Sequence, residues 1–165
     1  MFFKSKNEKI IEQVQEFFNS IPNINAGGCG IAALGLYDTA VKEGKDPKII
    51  FFYHKIWEER NFDHNQMVME GKKDKAMSCC HIVCEIDGKY INKKNDRLLS
   101  EILSEEINFY KQYVTRELLI NSLIHGGWNQ MFEREKWWNK IKTYLGWNDI
   151  EIPTKYIGSG KYVFA

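Results

Sequence analysis

Residues 80–92 read Cys80-His81-Ile82-Val83-Cys84-Glu85-Ile86-Asp87-Gly88-Lys89-Tyr90-Ile91-Asn92, and this stretch decides the fold class. Its first half is β-branched and apolar, Asp87-Gly88 is a two-residue signal for a type I′ turn, and Lys89–Asn92 returns along it. Closing the hairpin on Asp87-Gly88 pairs Ile86 with Lys89, Glu85 with Tyr90, Cys84 with Ile91 and Val83 with Asn92. Side chains alternate along a strand, so His81, Val83, Asn92 and Lys94 fall on one face. His81 and Asn92 are then diagonal neighbours, within reach of long side chains.

Helical patterns flank this hairpin. On its N-terminal side, Ser5-Lys6-Asn7-Glu8 is a capping box, and Ile10, Ile11, Val14, Phe17 and Phe18 recur at helical spacing. The spacing predicts a helix over 6–19, stopped by Ser20-Ile21-Pro22. From Cys29 to Tyr37 the chain is apolar nearly all round, the pattern of a helix buried on most faces, with Gly44 as its C-terminal stop. Asp46-Pro47 opens a run from Ile49 to Trp57 that fits helix or strand; helix is favoured. Asp63-His64-Asn65-Gln66 is read as a capping box for a short helix ending near Gly71, and Lys72–Lys75 as a charged loop. Beyond the hairpin, helices are expected over about 97–110 and about 116–145, with a break at His125-Gly126-Gly127. Lys155-Tyr156-Ile157 and Lys161-Tyr162-Val163-Phe164 suggest one or two closing strands. Helices, a hairpin, more helices and a final strand make an α+β chain.

The bulk properties narrow the possibilities. At 165 residues the chain suits a single domain over 1–165. Hydrophobic residues at 44% supply a core without disulfide or metal staples. With 23 basic against 22 acidic residues, the formal charge of +1 lacks the basic footprint of a nucleic-acid binder. No apolar stretch reaches the ~20 residues that span a bilayer, and MFFKSKNEK is too polar for a secretory signal. A cytoplasmic protein with four reduced cysteines is expected, with no nucleic-acid or membrane partner and no cofactor.

Chemistry concentrates at three points. Gly27-Gly28-Cys29-Gly30 opens the buried helix, where unpaired N–H groups and the helix dipole favour a thiolate. Glycines beside the sulfur let a substrate carbonyl approach, which makes Gly27 and Gly28 candidate substrate-binding positions. The Cys29 N–H would be one oxyanion donor. A structural cysteine in a tight turn explains this segment equally well when it is taken alone. His81, on a stiff strand, can aim an imidazole at the thiolate. The Asn92 amide oxygen can accept the second imidazole N–H and fix the tautomer. Asp87, on the same face but at the turn, is a weaker orienter.

The segments NAGGCGIAALGLYD and HIVCEIDGKYIN together resemble the papain-like cysteine peptidase superfamily, over roughly residues 20–95. In that superfamily a Cys at a helix start precedes a His opening a later strand, then an Asn or Asp on the next strand. The resemblance implies a papain-like fold with a Cys-bearing helix packed on a small antiparallel sheet, followed by a helical extension and closing strand over about 97–165. It implies Cys29, His81 and Asn92 as catalytic residues, with Asn23, or Asn25 nearer the nucleophile, completing the oxyanion hole. The implied reaction is thiol-dependent cleavage of an amide or isopeptide bond in a protein or peptide substrate, through a Cys29 thioester. Interception of the thioester by a second amine would make a transglutaminase or acyltransferase, and loss of ammonia a deamidase. A catalytically inactive inhibitor or adaptor on the same fold is the alternative.

Two further features have plainer explanations. Cys79-Cys80-His81 with Cys84 suggests zinc, but adjacent strand residues point to opposite faces and no second Cys/His pair stands at zinc spacing, so no metal is expected. The aromatic segment with Trp128, Phe132, Trp137, Trp138, Tyr144 and Trp147 is read as an amphipathic helix packed on the core, with a binding platform as its alternative. His64 and His125 are reserve candidates for the base.

Overall fold

The apolar runs Ile49–Tyr53 and Ile82–Cys84 meet in one antiparallel sheet. The computed structural model describes residues 4–73, 77–94, 96–158 and 161–163. Their elements in chain order are α1 (Lys6–Asn19), α2 (Cys29–Lys42), β1 (Lys48–His54), α3 (Lys55–Met69), β2 (His81–Ile86), β3 (Lys89–Ile91) and α4 (Arg97–Ser104). A 3-10 turn (Glu106–Asn108), β4 (Phe109–Val114), α5 (Arg116–His125), α6 (Arg134–Leu145), β5 (Lys155–Gly158) and β6 (Lys161–Val163) complete them. The main sheet runs β3-β2-β1-β4, every neighbour antiparallel, and the molecule is α+β.

The β2–β3 hairpin holds its register through the turn. Ile86 pairs with Lys89, Glu85 with Tyr90 and Cys84 with Ile91. Asp87 and Gly88 have φ of 52° and 76°, the left-handed pair that a type I′ turn demands.

Strand β1 corrects the helix expected over Ile49–Trp57. Ile49, Ile50, Phe51, Phe52 and Tyr53 are all buried, because β1 is central, flanked by β2 and β4 and covered on both faces. A strand covered on both faces shows no alternation, so its pattern is indistinguishable from that of a buried helix. Helix begins only at Lys55, where His54 Nδ1 accepts the Ile56 N–H at 3.2 Å. The capping box expected at Asp63–Gln66 lies inside α3.

Helix α1 starts on the Ser5–Glu8 capping box. Helix α2 packs on the sheet, with Ile31, Ala32, Ala33, Leu34 and Leu36 fully buried. Truncating a side chain such as Leu34 to alanine would cost ~2–5 kcal/mol. Gly35 lets α1 approach closely: a Cβ there would stand 2.6 Å from the Phe18 ring. At the polar end of α2, Asp38 takes Arg116 bidentately at 2.7 and 2.8 Å and the Trp147 indole N–H at 3.0 Å. That cluster ties the C-terminal elements to the Cys29 helix.

The C-terminal part is not wholly helical. The helix expected over about 97–110 ends at Ser104, and Phe109–Val114 joins the main sheet as an edge strand. Its buried Gln112 and Val114 alternate with exposed Lys111 and Tyr113, a strand period carried partly by a polar residue. The break expected at His125-Gly126-Gly127 is present, and it is wider than expected: α5 ends at His125 and α6 begins only at Arg134, so residues 126–133 separate the two helices. The two terminal strands pair with each other rather than with the main sheet. Phe164, expected in the last strand, and Asp74 and Lys75 of the charged loop lie outside the described residues. Among the described residues no helix is long and apolar enough to cross a membrane.

Candidate active site

Cys29 is the first residue of α2. Gly28 caps the helix and has no side chain to bond the first-turn N–H groups. The chain before it winds tightly, with the Gly28 N–H on Ile24 O at 2.8 Å and the Ala26 N–H on Asn23 O at 2.8 Å. Two glycines are required by packing. Gly27 has φ of 124°, and a Cβ there would lie 2.2 Å from the Asn129 carbonyl oxygen. A Cβ on Gly28 would strike Ile24 and Phe132. Of the two expected substrate-binding glycines, Gly27 borders the cleft described below, whereas Gly28 is buried against those side chains and does not line it.

His81 opens β2 and is fully buried. Its Nε2 meets Asp96 Oδ2 at 2.7 Å. Nδ1, the other ring nitrogen, is buried without a hydrogen-bond partner. The Cys29 thiol interacts with the same imidazole and shifts its ionisation. Burial works against the imidazolium, but the Asp96 carboxylate and the Cys29 sulfur outweigh it and raise His81 from 6.5 to about 9. Burial likewise disfavours the Cys29 thiolate. The neighbouring His81 imidazole, with help from the Ile82 N–H, overcomes that and holds the thiol below its ordinary value. Both shifts run in the direction of a thiolate–imidazolium pair.

Asn92 and His81 come together as expected, but in a different sense. The Asn92 amide nitrogen, not its oxygen, faces the ring at 3.1 Å. That nitrogen donates to Asp96 Oδ2 at 3.1 Å and to Ile82 O at 3.3 Å, while Asn92 Oδ1 is buried without a partner. The acceptor for the second imidazole N–H is therefore Asp96, and Asn92 holds that carboxylate in place. Asp96 is the N-cap of α4: its Oδ1 accepts the Leu99 N–H at 3.0 Å, leaving Oδ2 for the imidazole. Contacts with His81, Leu99 and Asn92 outweigh burial and keep its carboxyl below the usual range. Sequence reasoning missed Asp96, although an Asp just before an expected helix start is a cap signal. Asp87, the weaker orienter, is exposed at the turn and pairs with Lys45 at 2.7 Å.

Cys29 opens on a cleft of about 400 Å³. Its lining includes Asn25–Gly27, Gly126–Asn129, Met77–Cys80 and Leu98. The buried Asn65 amide binds the Ser78 N–H and carbonyl, and Ser122 Oγ binds both main-chain groups of Met77, so Met77 and Ser78 are clamped from α3 and α5. Of the two oxyanion candidates, Asn25 lines the cleft and Asn23 does not. Asn23 is exposed, with φ of 60°, turned into the loop that winds toward Cys29. Neither His64 nor His125 lines the cleft. Cys79 and Cys80 do line it, and Cys84 is buried in the core. No metal-binding group of three or more His, Cys, Asp or Glu side chains occurs among the described residues. Of the aromatic C-terminal residues, Phe132, Trp138 and Trp147 are core, whereas Trp128 lines the cleft and stacks on the Arg134 guanidinium, 3.7 Å from the ring centroid.

Compared with protein-family models, with curated proteins and with solved structures, the chain matches none.

Proposed function

We propose that the protein is a thiol hydrolase that cleaves an amide or isopeptide bond through a thioester on Cys29. The observation that carries the reading is the sequence of neighbours Cys29, His81 and Asp96, with Cys29 lining a cleft and Asp96 bonded to His81. A thiol at a helix tip whose ionisation is favoured by an imidazole held by a carboxylate is the equipment of covalent acyl transfer. The order of helix-borne Cys29, strand-borne His81 and the polar residues that follow also supports a papain-like assignment, which belongs to this proposal.

In the proposed reaction the Cys29 thiolate attacks the carbonyl carbon. The Cys29 N–H and the Asn25 amide stabilise the oxyanion. His81 gives its proton to the leaving amine as the C–N bond breaks, producing the thioester. Neutral His81 then takes a proton from water as that water attacks the thioester, and Cys29 is regenerated. Asp96 keeps the ring oriented throughout. Substituting an amine for the water gives transamidation, and ammonia as leaving group gives deamidation.

Acylation by p-nitrophenyl acetate, followed by intact-mass and peptide mapping, tests the reading. A burst that labels Cys29, decays by hydrolysis and is lost in His81→Ala is expected. Labelling that avoids Cys29, or proceeds as fast in His81→Ala, would contradict it and leave an inactive binding module as the better description.

A further inference from the structure

The segment between β3 and α4 carries Asn92 and ends at Asp96, and α1 grips it by the main chain. Gln15 Nε2 donates to the Asn92 carbonyl oxygen, and Asn19 Oδ1 accepts the Lys94 N–H at 2.8 Å. Gln15 and Asn19 are four residues apart, so they share one helix face and bond to one connecting segment. Neither lines the cleft, and both are only half-buried. Lys94 adds weak links to Glu12 and Glu16 at 3.5 Å.

The Asn92 main chain, fixed by Gln15, sets where its amide nitrogen meets Asp96 Oδ2. Asp96 Oδ2 in turn stands 2.7 Å from His81 Nε2. Charge-assisted hydrogen bonds of that length are strong and fall away steeply with displacement. A misplacement of ~1 Å in such a chain can cost ~10²-fold in rate. We propose that Gln15 and Asn19 are positioning residues that hold Asp96 against His81 through the main chain of residues 92–94. Helix α1 would thus act on the site without touching substrate. The inference rests on Cys29 and His81 being nucleophile and base.

The test compares Gln15→Met with Asn19→Leu, singly and together, and with Asn19→Asp, which keeps an oxygen for the Lys94 N–H. His81 ring titration is followed by NMR, Cys29 ionisation by the pH dependence of iodoacetamide alkylation, and folding by thermal unfolding. In the folded double variant the His81 midpoint should fall from about 9 toward 6.5. The Cys29 midpoint should rise, slowing alkylation at neutral pH by about tenfold. Asn19→Asp should titrate as wild type does. A folded double variant with wild-type His81 and Cys29 titrations overturns the inference, as does an Asn19→Asp variant impaired as much as Asn19→Leu. If the double variant does not fold, Asn19→Leu against Asn19→Asp decides by the same criteria. A wild-type Cys29 indifferent to His81 would instead defeat the functional reading itself.

Discussion

Cys29 and Cys84 share one packed core yet ionise in opposite directions. Cys84 sits in mid-strand on β2, where burial, with smaller contributions from the nearby Glu85 and Asp38 charges, pushes its thiol up to about 12. Burial acts on Cys29 in the same sense, but there His81 and the Ile82 N–H overcome it. Position inside the protein therefore does not make a cysteine reactive. What favours a buried thiol's ionisation is a partner that stabilises the anion, and His81 at the start of β2 is such a partner for Cys29 but not for Cys84 within the same strand.

Removing the partner should collapse the contrast. In His81→Ala, Cys29 keeps its burial and loses its main stabilising contact, so its titration should move up toward that of Cys84. At pH 7, alkylation of Cys29 should slow by at least about tenfold, since each pKa unit is worth that factor in thiolate population. Asp96→Asn is the next largest change. Asn retains an oxygen for the Leu99 N–H, so α4 should keep its cap, while His81 loses its carboxylate. Because His81 is raised from 6.5 to about 9 on folding, its contribution to stability is complete below pH 6.5 and is lost as pH rises through about 9. Thermal unfolding of the wild type should therefore show a decline over that window which is flatter in Asp96→Asn.

Gly28→Ala should act on stability more than on titration. Its new Cβ meets Ile24 and Phe132, and overpacking of this kind costs ~1–3 kcal/mol, measurable by denaturant unfolding. Loss of Cys29 reactivity at unchanged stability would return Gly28 to a substrate-binding role. The smallest effect is expected from Cys84→Ala, which removes the reference thiol. Cys29 alkylation should remain within experimental error of wild type, because Cys84 is not among the groups that shift Cys29.

How far all this is written in the sequence depends on whether the signal is local. The α1 capping box and the Asp87-Gly88 turn act within a few residues, and each sits where its chemistry requires, whereas the glycines before Cys29 answer to the distant Asn129 and Phe132. From the turn alone follows the register that brings Asn92 beside His81. Strand β1 was not legible, because its five buried residues draw their environment from β2 and β4 on either side. Strand β4 was hidden by Gln112, a polar residue on its buried face. Asp96 was half legible: its role as a cap is local, but the meeting of its second oxygen with His81 is made by tertiary packing. The cleft was least legible, since Met77–Cys80 and Gly126–Asn129 approach Cys29 from separate parts of the chain.

The claim that a buried imidazole, rather than the helix tip or the depth of the site, ionises Cys29 is tested most directly by titrating the thiolate through its ultraviolet absorbance. Wild-type protein should be compared with His81→Ala, using Cys29→Ser to subtract the other cysteines. The account predicts a Cys29 midpoint well below the ~8.5 of an ordinary thiol, moving above it when His81 is removed. A midpoint at or above that value in the wild type, unmoved by His81→Ala, would contradict it.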